Sequence, residues 1–155
     1  MYEYKKYQTM QYSIETIAQL LGAKRIGSRE GIVKWLLTDS RSLGFPEETL
    51  FFALVTGRGD GHRYIVELYN HGVRHFVVSE HPDHEKQQAM VDANFLVVPD
   101  TLAALQLLAE KHRVQYNIPV VGITGSRNHS NPRSRIYDGQ ISQRIWVLTS
   151  MNIDV

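Results

Sequence analysis

The sequence predicts an α/β fold, a small mixed sheet flanked by helices, followed by an atypical C-terminal tail. Three observations carry that expectation. Short apolar runs bounded by Gly, Pro and charged residues alternate with segments of helical period, as strands and helices alternate in a layered α/β domain. Helix start and stop residues sit at the ends of the periodic segments. After Ser126 the composition changes, and Lys, Glu and Ala disappear from the chain.

Residues 1–12 read as an N-terminal extension. They include Glu3, Lys5 and Lys6 but no apolar stretch of the kind a secretory signal needs. From Ser13, the spacing of Ile14, Ile17, Ala18, Leu20 and Leu21 predicts a short amphipathic helix. Ser13 is placed to accept an N-terminal amide hydrogen bond, and Gly22 to end the helix. Residues 32–37 and 50–54 read as strands, with a polar loop over 38–48 between them. Tyr64, Ile65, Leu68 and Tyr69 predict a second helix ending at Gly72, and residues 75–78 a strand. A polar stretch with Pro82 precedes a strand at 95–98. Asp100 then caps a long helix whose Leu102, Leu105 and Leu108 read as its core stripe. The end of that helix, Glu110 to Arg113 in the sequence, reads as solvated, with cations complementing the dipole. Residues 120–123 read as a last apolar strand before Thr124-Gly125-Ser126, and strands alternating with helices imply a sheet largely parallel in its second half. An uncovered strand at 120–123 would leave an edge for self-association.

With 155 residues, 43% of them hydrophobic and 21% charged, the chain suits one compact domain with its own core. The formal charge is +1 and the basic residues are spread along the chain, so no electrostatic track for nucleic acid is expected. Cys is absent, which excludes disulfides and thiolate chemistry. No stretch reaches the roughly 18 apolar residues of a membrane span. A soluble, cytoplasmic protein without membrane partners is the expectation.

Thr38-Asp39-Ser40-Arg41, then Leu50-Phe51-Phe52-Ala53-Leu54, then Gly57-Arg58-Gly59-Asp60-Gly61-His62 follow in order. After a long helix comes Val121-Gly122-Ile123-Thr124-Gly125-Ser126. In this order and spacing the motifs resemble the N-terminal domain of the Mur ligases, the amino-acid-adding ligases of peptidoglycan synthesis. The chain is most similar to members that add D-alanyl-D-alanine to UDP-N-acetylmuramoyl-tripeptide, forms fused to an alanine racemase included. The diaminopimelate- or lysine-adding members come second. The resemblance implies an enzyme of three domains: one holding the UDP end of the substrate, a central ATPase, and a third that helps bind the incoming amino acid. It implies phosphorylation of a substrate carboxylate by ATP with Mg, then attack by an amine. On this chain it places a UDP-N-acetylmuramoyl-peptide binding domain at 13–118, the start of the ATPase domain at 119–126 and a divergent tail at 127–155.

The residues support that reading chemically. A nucleotide diphosphate needs hydrogen-bond partners for uracil and ribose, and amides or cations for its pyrophosphate. Thr38 and Ser40 offer hydroxyls directly after a strand, and Arg41 a guanidinium for phosphate. The resemblance puts Thr38 and Ser40 at the uridine end, whereas alone they would pass for an ordinary turn. Gly57, Gly59 and Gly61 alternate, which would let backbone amides approach an anion, with Arg58 and His62 adding charge or donors and a helix starting near His62. Read without its neighbours, such a loop is only a flexible turn.

Gly122, Thr124, Gly125 and Ser126 resemble the opening of the family's ATP loop, but the loop is degenerate. Asn128 stands at its Gly position and His129 at the Lys that reaches the β- and γ-phosphates. No catalytic residue and no cofactor of its own are therefore expected for this chain. A reading-frame shift or a natural tail would each account for the departure at Arg127, and the encoding DNA read in all three frames distinguishes them. His71, His75, His81 and His84 do not share a face, so no metal site is expected, and each His is read as exposed or locally bonded. The alternative to ligand binding is a folded remnant or interaction module that binds nothing, with Trp146-Val147-Leu148 packed on a sheet edge or a neighbouring chain.

Overall fold

The computed structural model describes residues 10–57 and 59–116, together with the backbone of a short strand at Ile153–Asp154. The chain opens with β1 (Tyr12–Ser13) and α1 (Ile14–Leu21). The Ser13 hydroxyl accepts from the Thr16 amide at 3.0 Å, and Gly22 at φ 58° ends the helix, as the sequence predicts. Next come β2 (Lys24–Ile26), β3 (Ile32–Val33) and β4 (Trp35–Leu37). Two 3-10 turns, Ser40–Ser42 and Pro46–Glu48, lead to β5 (Thr49–Phe52). A hairpin of β6 (Val55–Thr56) and β7 (Gly59–Asp60) follows, then a 3-10 turn (Gly61–Tyr64) running into α2 (Ile65–Asn70). The rest alternates: β8 (His75–Val78), α3 (His84–Ala89), β9 (Asn94–Val97) and α4 (Thr101–Val114), with β10 at Ile153–Asp154.

The main sheet is mixed, in the order β10-β4-β5-β8-β9-β2. Strands β10, β4, β5, β8 and β9 are parallel, and β2 is antiparallel to β9. Alternation along each strand splits the core. Leu36, Leu50, Phe52, Val77 and Leu96 pack on Ile14 and Ile17 of α1 and Leu105 and Leu108 of α4. Leu37, Phe51, Phe76, Val78 and Phe95 face Ile65 and Leu68 of α2, with Val73, Met90 and Ala93. Both faces are covered, which is why these strands read as continuous apolar runs. Each such buried side chain contributes about 1.5–3 kcal/mol. Phe76 sits between Phe51, edge-on at 6.4 Å, and Phe95, stacked at 5.6 Å.

The structure corrects several sequence expectations. Residues 32–37 are two strands, because β3 pairs antiparallel with β1 while β4 joins the main sheet. At the break between them, the Lys34 amide donates to Glu48 O. The polar stretch after Pro82 contains α3, capped by Asp83, and none of its residues is buried. In α4 the buried positions are Thr101, Ala104, Leu105, Leu108 and His112, so Leu102 lies outside the core stripe and His112 outside the solvated end. The predicted strand at 120–123 and the Trp146 segment lie outside the described residues. Among those described, no helix is long and apolar enough to cross a membrane.

Candidate functional site

Because β4, β5, β8 and β9 run parallel, their carboxyl ends share one edge of the sheet. In open α/β sheets that edge is where ligands bind. It carries the turn after β4, the hairpin after β5, Ser79 after β8 and the capped start of α4 after β9. β4 and β5 are neighbours, with Leu37 in register with Phe51, so the two predicted binding loops leave the sheet side by side.

Thr38 follows β4 directly, and Asp39 organises the turn that begins at Ser40. Its carboxylate accepts from the Arg41 amide at 3.0 Å and from Arg41 Nε at 2.9 Å, with a further short bond from Nη2. The Arg41 guanidinium and its backbone N–H hold the Asp39 carboxyl down at about 2. Arg41 thus reaches solvent, its side chain 87% exposed, while engaged by a carboxylate two residues away. Beside this turn, Trp35 stacks on Phe45 at 5.1 Å, and the pair helps line a cavity of about 50 Å³ with Leu37, Ser42 and Thr49.

The Gly-rich segment is a hairpin rather than an open loop. Val55 pairs with Asp60 and Thr56 with Gly59, and the Gly61 amide closes the root on Leu54 O at 2.8 Å. The three glycines are therefore not equivalent. A Cβ on Gly61 would sit 2.8 Å from Leu54 N and 3.0 Å from Ala53, whereas one on Gly57 would meet nothing within 4 Å. One on Gly59 would touch only Arg63 Nη2, at 3.3 Å. Neither Gly57 nor Gly61 has the positive φ that a left-handed amide cradle uses. Gly61 answers to backbone packing, and Gly57 and Gly59 leave the outer hairpin open to approach.

Below the hairpin, Ala53 N–H donates to Val77 O at 2.9 Å, and the buried Thr101 hydroxyl donates to Ala53 O at 3.1 Å. Asp100 caps α4 through the Ala103 amide. His62 is largely shielded, and both its ring nitrogens are engaged. Nδ1 lies 2.6 Å from Asp60 Oδ1, and Nε2 accepts from the Ser79 amide at 3.1 Å, with Ser79 Oγ at 3.4 Å. The His62 backbone N–H and then its ring lower the Asp60 carboxyl. Asp60, Ser79 and Thr101 thus brace this edge from within, although the sequence reading did not assign them. Asp60 could have been found from its place before Gly61-His62, while Ser79 carried no signal beyond ending a strand.

Thr38, Ser40, Arg41, Gly57, Gly59 and His62 are therefore brought to one edge. Arg58 and the degenerate loop residues Gly122, Thr124, Gly125 and Ser126 lie outside the described residues. His71, His75, His81 and His84 each have a setting of their own. His75 is buried against Asn94, His81 bonds Pro82 O, His84 bonds Gln88 and His71 ends α2. Among the described residues no three His, Asp or Glu gather as metal ligands.

No protein-family model matches the chain. Among curated proteins it is similar to UDP-N-acetylmuramoyl-tripeptide–D-alanyl-D-alanine ligase of Haemophilus influenzae, 34% identical over 110 residues, which are 71% of this chain and 22% of that protein. The Bacillus subtilis protein of the same name is 28% identical over 107 residues, 68% of this chain and 22% of its own. Among solved structures, UDP-N-acetylmuramoylalanyl-D-glutamyl-2,6-diaminopimelate–D-alanyl-D-alanyl ligase from Acinetobacter baumannii aligns with a TM-score of 0.57 at 24% identity, covering 72% of this chain and 23% of that one. A crystal structure of MurF from the same organism aligns with a TM-score of 0.56 at 25% identity over 69% and 22%. The chain spans about a fifth of the length of the relatives it matches.

Proposed function

Since the chain is related over about 70% of its length to the N-terminal part of the UDP-N-acetylmuramoyl-tripeptide–D-alanyl-D-alanine ligases, we propose that residues 13–118 form the domain that holds the UDP end of a UDP-N-acetylmuramoyl-peptide. The observation that carries this reading is the convergence at the sheet edge. The Thr38 turn and the β6–β7 hairpin leave adjacent parallel strands side by side. One supplies hydroxyls and a guanidinium, the other a narrow Gly-lined arm. In this reading Thr38 and Ser40 meet the uridine, Arg41 and Arg58 the pyrophosphate, and the outer hairpin at Gly57 and Gly59 lets the phosphates come close. His62 belongs to the same site.

Residues 119–126 are the start of an ATPase domain, and 127–155 a tail unlike it. Lys is the residue that reaches the β- and γ-phosphates in such a loop, and this chain carries His129 there, with Asn128 at the Gly position. The residues present do not fit ATP and Mg. The chain is thus a binding domain that does not itself catalyse ligation, within a family whose longer members are the peptidoglycan-precursor ligases.

Thermal stabilisation of the purified chain by UDP-N-acetylmuramoyl-tripeptide and by UDP, with ATP as control, tests the reading. A ligand bound only by the native state raises the midpoint by mass action. A rise with both UDP ligands and none with ATP is the expected result. No rise with either UDP ligand selects the second reading, a folded module without a ligand, which the Asp39–Arg41 pairing favours because it already engages two of the guanidinium nitrogens.

A further inference from the structure

The β6–β7 hairpin has only two residues in each strand. A ribbon that short does not hold itself in place, so its direction depends on what fastens its root. The Gly61–Leu54 bond closes the root but ties the hairpin only to its own strand. The second fastening is the His62 ring. It reaches from Asp60, the last residue of β7, to Ser79, the first residue after β8.

We infer that Asp60, His62 and Ser79 form a strut that fixes the hairpin against the strand ends, with His62 a positioning residue in the neutral form that carries its proton on Nδ1. The tautomer follows from the partners. Nε2 faces a backbone N–H, which can only donate, so that nitrogen presents its lone pair. Nδ1 faces a carboxylate, which accepts, so the proton sits there. The His62 side chain is 13% exposed, so water competes weakly at Nε2, while the Asp60 carboxylate on the other side is 53% exposed. The Ser79 contribution is chiefly its main-chain amide, the hydroxyl being more distant. This changes the part His62 plays. Both nitrogens are committed inside the protein, so His62 sets where the residues of the hairpin sit and does not itself offer a donor to an anion. The effect on a ligand rests on the UDP reading above, whereas the strut does not.

Long-range ¹H–¹⁵N NMR and amide exchange on the full chain test both parts. The expected spectrum shows the His62 proton on Nδ1 and an unprotonated, hydrogen-bonded Nε2. In His62→Ala the Ser79 and Gly61 amides exchange about tenfold faster or more, while that of Leu96 in the sheet centre keeps its rate. Asp60→Asn, which keeps the side-chain shape, moves the same two amides the same way with smaller amplitude. UDP affinity falls about tenfold in His62→Ala. A proton on Nε2, or unchanged Ser79 and Gly61 exchange in both variants, overturns the strut. If the exchange results hold and the wild-type chain ignores UDP, the strut stands and the UDP reading falls.

Discussion

Nδ1 of His112, near the end of α4, lies 2.9 Å from the hydroxyl of Tyr12, 100 residues earlier in the chain. His112 is only 3% exposed, and Tyr12 and Tyr116 meet its ring edge-on at 5.7 and 5.0 Å. The bond joins the chain just before α1 to the far end of the long helix. In Tyr12→Phe a buried ring nitrogen loses this partner, which costs about 1–3 kcal/mol. Replacing both members, Tyr12→Phe with His112→Leu, removes the stranded polar atom and recovers part of that loss. Urea midpoints of the two variants check the order, and a double variant less stable than Tyr12→Phe contradicts it.

The elements legible in the sequence were those whose signals are local. Ser13 and Gly22 bracket α1, and Asp100 starts α4, because a cap depends only on its immediate neighbours. α3 escaped because its residues, from His84 to Ala89, bury no side chain and so leave no apolar period. β2 escaped because Lys24 and Arg25 do not read as a strand, and its pairing with β9, about seventy residues away, is what makes it one. The spacing of Leu102, Leu105 and Leu108 reads as one core stripe, but α4 turns Thr101, Ala104, Leu105 and Leu108 inward and leaves Leu102 45% exposed. His112 was hidden among charged neighbours. At the site the two loops could be named from sequence, whereas the partner of His62 is a backbone amide, which no residue type announces.

His75 makes stability depend on pH. It is buried in β8 beside Asn94 of β9, whose Nδ2 donates to its Nδ1 and leaves no acceptor there for a second ring proton. Burial, then Arg29 and Arg25, lower its pKa from 6.5 to about 4. Between those values the unfolded chain binds a proton that the folded chain refuses, so stability falls as pH falls through that window and is full above it. The loss reaches about 3 kcal/mol at the acid end. His112, lowered by burial, adds in the same direction. Unfolding midpoints at pH of about 7 and about 4.5 should differ for the wild-type chain and differ less in His75→Gln. An equal difference in both means that other groups carry the effect.

Gly61 should be sensitive to an added methyl group and Gly57 indifferent to it. In Gly61→Ala the Cβ arrives 2.8 Å from Leu54 N, a backbone atom that cannot swing aside, and it strains the Gly61–Leu54 closure of the hairpin. A loss of about 1–3 kcal/mol is expected, as for other overpacked sites. Gly57→Ala meets open space at a φ outside the left-handed region, so its stability stays within about 0.5 kcal/mol of wild type. Thermal midpoints of the two variants decide it, and equal losses would mean that the root of the hairpin is not closely packed.

Asp39 and Arg41 supply a test of the ligand reading that depends on sign rather than size. Their pair is exposed and screened by solvent, so a phosphate takes the guanidinium from the carboxylate at little cost. If Arg41 meets the pyrophosphate, Asp39 opposes binding twice, by occupying the guanidinium and by repelling the anion. Asp39→Asn removes the charge while its amide oxygen still caps the turn at the Arg41 amide. UDP affinity should then rise severalfold, whereas Arg41→Ala lowers it, and both effects should shrink with added salt. A turn that merely satisfied itself would give no rise in Asp39→Asn, because Arg41 would have no phosphate to be released to. Calorimetric titration of UDP into the two variants separates the cases, and a fall in both would show Asp39 acting through the shape of the turn instead of through its charge.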